Sequence, residues 1–109
     1  MKTMNAEKIN ELSQSDADML LLDVLPEDVY EKQHIPSAIS NPVESDDFVR
    51  RTRELVDSMD EVIVVYCADT DCPLSEKAAH ALEEAGFQNV IDMEGGIEEW
   101  KAAGLPVEH

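Results

Sequence analysis

Apolar residues arrive along this chain in two rhythms. MLLLDV (19–24), EVIVVYC (61–67) and NVIDM (89–93) are short, nearly continuous runs without polar alternation, the pattern of strands covered on both faces. Elsewhere the spacing lengthens to three and four, as on helices with one buried side. Asn5 is placed to cap a helix to about Ser13 that buries Ile9 and Leu12. Pro26 suits the first turn of another, continued by Glu27, Asp28, Val29 and Tyr30, and HIPSAIS (34–40) then leads into a brief extended segment. Residues 46–59 put Phe48, Val49, Thr52, Leu55, Val56 and Met59 on one stripe. Pro73 fits the first position of a helix whose buried side carries Leu74, Ala78, Ala81, Leu82 and Ala85 and which Gly86 stops. GGIEEWKAAG (95–104) reads as a last helix with Ile97, Trp100 and Ala103 on one side.

Strands alternating with helices predict an α/β fold, a parallel sheet with helices on both faces, because parallel neighbours need crossover connections. EVIVVYC, the most β-branched run, is the candidate central strand. In such sheets the functional crevice lies beyond the carboxyl ends of the strands. Cys67 stands at one of them.

Length and charge narrow the picture. With 109 residues, 43% of them apolar, and no repeat, linker or low-complexity tract, one domain with one core is expected. No window offers the roughly 18 consecutive apolar residues of a membrane span, and MKTMNAEKIN lacks the apolar centre of a signal peptide; a cytoplasmic protein is the expectation. Twenty-five acids against eight bases give a net charge of −17, which excludes nucleic acid and anionic membrane as partners. Two accounts of this acidity stay open, a strongly solvated surface and docking to a basic protein. Likewise Arg50, Arg51 and Arg53, the only arginines, form either a solvated helix face or a dock for an anionic donor.

The candidate chemistry sits in CADTDC (67–72). Two cysteines are too few for a disulfide scaffold, and their spacing is too long for a thioredoxin-type pair. Together with His34 and His80 they match no zinc-ligand spacing, so no metal and no cofactor are expected. A thiol attacks only as thiolate, which backbone N–H groups at a helix N-terminus favour. If residues Ala68, Asp69, Thr70, Asp71 and Cys72 curl around the Cys67 sulfur with their amides inward, they make an anion nest for it. The two aspartates oppose ionisation and repel anionic substrates. Two readings of Cys67 remain open on this pattern, nucleophile and small buried hydrophobe; Cys72 is either a second reactive thiol or a helix-entry residue.

LLDVLPEDVYEKQHIPSAISNP and VVYCADTDCPLSEKAAHALEEAGFQNVIDMEGGIEEWKAAGLPV together resemble the single-domain rhodanese, or sulfurtransferase, family over residues 19–107. The shared features are a buried Asp closing the first core strand, a His-Ile-Pro segment, a cysteine after an apolar strand, then Glu-Gly-Gly, Trp and Gly-Leu-Pro. The resemblance implies a three-layer rhodanese-like domain in which Cys67 takes sulfane sulfur from a donor, holds it as a persulfide and passes it to a nucleophile. Partners would be a small sulfur donor and thiol acceptor, or a protein sulfur carrier; oligomeric state is not legible. Asp23 and His34 are expected as structural supports. Several positions depart from the pattern: Cys72 replaces a cation common at the loop's end, Leu25 replaces an arginine after Asp23, and Gln33 and Ser37 replace glycines. A loop with two aspartates and no cation predicts weak activity on thiosulfate, a dianion. Cys72 is a candidate resolving thiol that attacks the persulfide and leaves a 67–72 disulfide, which requires Cα atoms within roughly 7 Å. A non-catalytic protein-binding module and a Cys67/Cys72 redox sensor are the alternatives.

Overall fold

In the computed structural model, which describes residues 2–15 and 19–109, each of the three apolar runs is a strand. They are β2 (Met19–Asp23), β4 (Val62–Tyr66) and β5 (Asn89–Asp92). Two shorter strands complete the sheet, β1 (Lys2–Thr3) and β3 (Ile39–Ser40). The order is β1-β5-β4-β2-β3, every neighbouring pair parallel. β4 is therefore central, as its composition predicts. The exposed Lys-Thr pair of β1 carries no apolar signal, and sequence reasoning missed it.

Among the described residues, five helices cover the two faces: α1 (Ala6–Gln14), α2 (Glu27–Lys32), α3 (Phe48–Leu55), α4 (Leu74–Glu84) and α5 (Gly96–Ala102). Strand alternation splits the core accordingly. Leu20, Leu22, Ile63, Val65, Cys67 and Val90 point toward Phe48 of α3 and Ala78, Ala79 and Leu82 of α4. Leu21, Val64, Tyr66 and Ile91 point toward Ala6 and Ile9 of α1 and Ile97 and Trp100 of α5. The Asn5 side chain caps α1 by accepting from Lys8 N–H at 2.8 Å.

Several local expectations need correction. α3 ends at Leu55 rather than reaching 59, and Val56 is already extended (φ −106°, ψ 152°). The polar residues that follow bond locally instead of continuing the helix: Glu61 accepts from Asp57 N–H and Ser58 C=O accepts from Glu61 N–H, both at 3.2 Å. Leu55 is accordingly exposed on the last turn. Ala103, expected beside Trp100, lies exposed beyond the end of α5. Pro26 and Pro73 each stand one residue before their helices rather than inside them.

Ser37 has φ +75°, the sole non-glycine in the left-handed region among the described residues. It occupies one of the positions where the resemblance led to an expectation of glycine, and the backbone keeps the glycine-favoured conformation although the residue has changed.

Candidate active site around Cys67

The chain runs outward from β2 to β3 and then returns to β4 and on to β5, so the sheet reverses its winding between β2 and β4. Cys67 follows the last residue of β4 at that switch, on the face covered by α3 and α4. The loop 67–72 then delivers the chain to α4.

This loop does not take the form of the predicted nest. Asp71 N–H donates to Asp69 Oδ1 at 3.0 Å and Cys72 N–H to Asp69 C=O at 3.1 Å, so both amides are consumed inside the loop. Ser75, in the first turn of α4, favours ionisation of the sulfur instead, through both its backbone and its hydroxyl. Nor is the sulfur open to solvent. Cys67 is 0% exposed, and its thiol donates to the Cys72 carbonyl at 3.5 Å. Asp69, Thr70 and Asp71 are exposed, while Ala68 and Cys72 are half-buried against the core.

Electrostatics follow from that closure. Burial, then the contact with Cys72, push the Cys67 thiol up to about 11, against the lowering effect of the Ser75 donors. The sequence expectation of a weakened thiolate holds in direction, but its main cause is desolvation rather than the loop aspartates. Both cysteines are free thiols, and Cys72 is close enough to act on the Cys67 ionisation.

The loop's first two residues are clamped by α5. Ile97 N–H donates to Cys67 C=O and Glu98 N–H to Ala68 C=O, each at 3.0 Å. Gly96, at φ +62°, permits this approach, since a β-carbon there would stand 2.5 Å from the Cys67 carbonyl oxygen. The Glu-Gly-Gly signal in the sequence is thus a device for seating the cysteine loop.

Asp23 and His34 lie elsewhere. Asp23 shares the opposite sheet face with Tyr66, its register partner, and its Oδ1 accepts from Leu25 N–H at 3.0 Å. Burial raises the Asp23 carboxyl above its ordinary value. His34 stacks on Tyr30 at 4.0 Å, with Nδ1 3.0 Å from the Tyr30 carbonyl, and its backbone exchanges two bonds with Glu108. It takes no part in the Cys67 cluster. Of the arginines, Arg50 pairs with Asp47 at 2.9 Å and Arg51 donates to the Ser40 carbonyl at 3.2 Å.

Two buried residues that sequence reasoning passed over face the sulfur's surroundings. Ser75 is 3% exposed and Asp92 4%. Asp92 pairs in register with Val65, two residues before Cys67, so both side chains project from the same face of the sheet. A signal was present: an acid at the carboxyl end of an apolar strand, in phase with Val90, which packs in that layer.

Comparison with known proteins agrees with this geometry. The family model described as "Rhodanese-like domain" matches residues 5–103. An HTH-type transcriptional regulator of Mycobacterium tuberculosis is 35% identical over 84% of this chain and 38% of its own length. A tRNA uridine(34) hydroxylase of Pectobacterium atrosepticum is 34% identical over 95% of this chain and 30% of its own. The chain thus spans about a third of these relatives. Among solved structures, a thiosulfate sulfurtransferase from Pseudomonas aeruginosa superimposes with TM-score 0.89 at 28% identity, over 100% of this chain and 20% of that one. A rhodanese-like domain from Anabaena gives TM-score 0.85 at 29% identity, over 99% of this chain and 79% of that one.

Proposed function

The chain belongs to the rhodanese-like domain family, and on that premise we propose that it is a sulfurtransferase working through a Cys67 persulfide. The thiolate attacks the outer sulfur of a donor R–S–SH, the donor S–S bond breaks, R–S⁻ leaves, and Cys67–S–SH remains. An acceptor thiolate then takes that sulfur and returns Cys67 as thiolate. Covalent capture divides one transfer into two easier ones. The reading rests on one observation above the rest: the free Cys67 thiol stands at the carboxyl end of the central strand, where the sheet reverses its winding and the chain enters α4.

Reaction requires the loop to open, and the geometry favours opening on ionisation. The thiol proton is what holds Cys67 to the Cys72 carbonyl. Once that proton is gone the contact loses its donor, while the Asp71 and Cys72 amides keep their bonds within the loop. A neutral or monoanionic persulfide suits this loop better than thiosulfate, because Asp69 and Asp71 flank the entrance. Cytoplasmic sulfur donors of low molecular mass or a protein carrier fit these requirements.

Cys72 is the resolving thiol in this scheme. Its thiolate attacks the Cys67 sulfur of the persulfide, forming a 67–72 disulfide and expelling HS⁻; an external thiol then reduces the disulfide. Cys72→Ser should hold a loaded persulfide longer than the parent, and equal lifetimes would remove Cys72 from the mechanism.

The complete burial of Cys67 favours a second reading, a protein-binding module without sulfur chemistry. Intact-mass analysis after exposure to glutathione persulfide separates the two. One sulfur added at Cys67 and removed by an acceptor thiol supports the transferase. No adduct leaves the module, and loss of two hydrogens without added sulfur indicates a thiol–disulfide sensor.

A further inference from the structure

Acidic side chains from separate segments surround Cys67 at the carboxyl end of the sheet. Asp69 and Asp71 are exposed on the loop itself, and Glu76 is exposed in the first turn of α4. Glu98 belongs to α5, and its N–H, bonded to Ala68 C=O at 3.0 Å, sets it beside the loop. Glu94 is exposed in the turn between β5 and α5, which the Gly96 N–H closes onto Met93 C=O at 3.0 Å. Cations do little to offset this rim. Glu98 meets Lys101 at 3.4 Å and Glu76 meets His80 at 3.7 Å, whereas Asp69, Asp71 and Glu94 have no ion-pair partner among the described residues. A buried acid points to what the rim receives. Asp92 ends β5, is 4% exposed, and leaves Oδ1 without a hydrogen-bond partner. Its register with Val65 puts the side chain on the α4 side of the sheet, the face of Cys67, and Glu76 and Glu94 are close enough to act on its ionisation. An unpartnered carboxyl oxygen behind further acids calls for a donor that carries positive charge.

We propose that this rim docks a basic polypeptide, so that the sulfur donor is a persulfide carried on a lysine- or arginine-rich segment; the proposal rests on the sulfurtransferase reading above and names its partner. The acids come from the loop, α4, the β5–α5 turn and α5. A small ammonium compound would meet one side of such a rim, while an extended basic segment meets several sides at once. Opposite charge around the cleft raises the encounter rate and orients the incoming sulfur toward Cys67. A lysine or arginine within the segment gives Asp92 Oδ1 the donor it lacks. The chemical step is unchanged: the Cys67 thiolate takes the outer sulfur, the donor S–S bond breaks, and the peptide thiolate leaves with the electron pair. Anionic donors, thiosulfate among them, are turned away by the same charges.

Persulfide peptides of one length test this, with lysine, glutamine or glutamate around a single cysteine, and cysteamine persulfide serves as the small cationic donor. Loading of Cys67 is followed by mass in a Cys72→Ser background at several salt concentrations. At low salt the lysine peptide should load at least about tenfold faster than the glutamine peptide, the low end of electrostatic steering. The glutamate peptide should be slowest, and the differences should shrink as salt rises. Cysteamine persulfide should gain less than the lysine peptide. A rim variant combining Asp69→Asn, Asp71→Asn, Glu94→Gln and Glu98→Gln should lose most of the lysine peptide's advantage; Asn at 69 keeps the Oδ1 that accepts from Asp71 N–H at 3.0 Å. The control removes as many exposed charges at the amino ends of the strands, by Glu54→Gln, Asp57→Asn, Asp60→Asn and Glu84→Gln, and should keep that advantage. Equal loss in the two variants identifies the acidity of the whole chain and overturns the proposal, as do equal rates for the three peptides or an equal gain for cysteamine persulfide. Far-UV circular dichroism checks folding. Fluorescence anisotropy of the labelled lysine peptide in its thiol form reads docking apart from chemistry. Binding that the rim variant weakens, with no adduct from any donor, defeats the transferase reading alone; adducts formed without such binding or charge preference defeat the docking proposal alone.

Discussion

Replacing Gly96 by alanine tests how the cysteine loop is seated. The added β-carbon would stand 2.5 Å from the Cys67 carbonyl oxygen and 2.6 and 2.7 Å from the carbonyl carbon and oxygen of Ala68. These are backbone atoms, and they cannot withdraw without stretching the two 3.0 Å bonds from Ile97 and Glu98. Overpacking of this kind costs about 1–3 kcal/mol, and weakening two buried bonds adds about 1 kcal/mol each. Holding a non-glycine residue at φ +62° adds about 1 kcal/mol more. The expected loss is about 4–6 kcal/mol, a large part of a small domain's stability. Gly86→Ala supplies the comparison, since it shares the positive φ (+101°) but its β-carbon meets only the Met59 side-chain terminus at 3.7 Å. That variant should lose about 1–2 kcal/mol. Urea unfolding followed by the fluorescence of Trp100, buried against the core, measures both. Equal losses in the two variants would refute the argument that backbone proximity, not backbone dihedral, fixes glycine at 96.

Other outcomes follow from single residues. Ser37→Gly should raise stability by about 0.5–1 kcal/mol, read as a higher melting temperature, because Ser37 carries φ +75°. Tyr66→Phe removes the hydroxyl that accepts from Ile35 N–H at 3.1 Å and should cost about 1–3 kcal/mol in urea unfolding, the penalty for a buried amide left without a partner. Asp23→Asn should flatten part of the acid limb of stability. Burial holds the folded-state carboxyl above its ordinary value, so its contribution is fully present below the unfolded ionisation and is lost as pH rises through the folded one. Urea midpoints across that interval should therefore rise on acidification more in the parent than in the variant.

What the sequence discloses and what it withholds have a common physical basis. Parallel strands covered on both faces must be apolar along their whole length, so β2, β4 and β5 stand out in the chain. β1 is two exposed residues held by pairing with Ile91 and Asp92, and pairing leaves no mark on composition. Helix entry points were legible from Asn5 and the prolines, whereas the end of α3 depends on side-chain bonds around Asp57 and Glu61 that no periodicity encodes. The position of Cys67 at a strand end was likewise readable. Its closure was not, because the direction of the loop amides is set by the bonds that Asp71 and Cys72 N–H give to Asp69, which residue type alone does not fix. Ser75 and Asp92 were overlooked because the distance between them in sequence hides their convergence, although the phase of Asp92 with Val90 carried the information.

The strand order has a consequence for how the molecule is made. On a ribosome β2 emerges early, yet its partner on the inner side, β4, comes well after it, and β1 must wait for Ile91 and Asp92. Closing such long chain segments delays the sheet entropically. A nascent chain halted after Tyr66 has VIVVY as an uncovered rim with no neighbour at β5. Such a rim invites pairing between chains, so stalled or prematurely terminated products should be the aggregation-prone species, while the finished polypeptide buries the hazard at its centre.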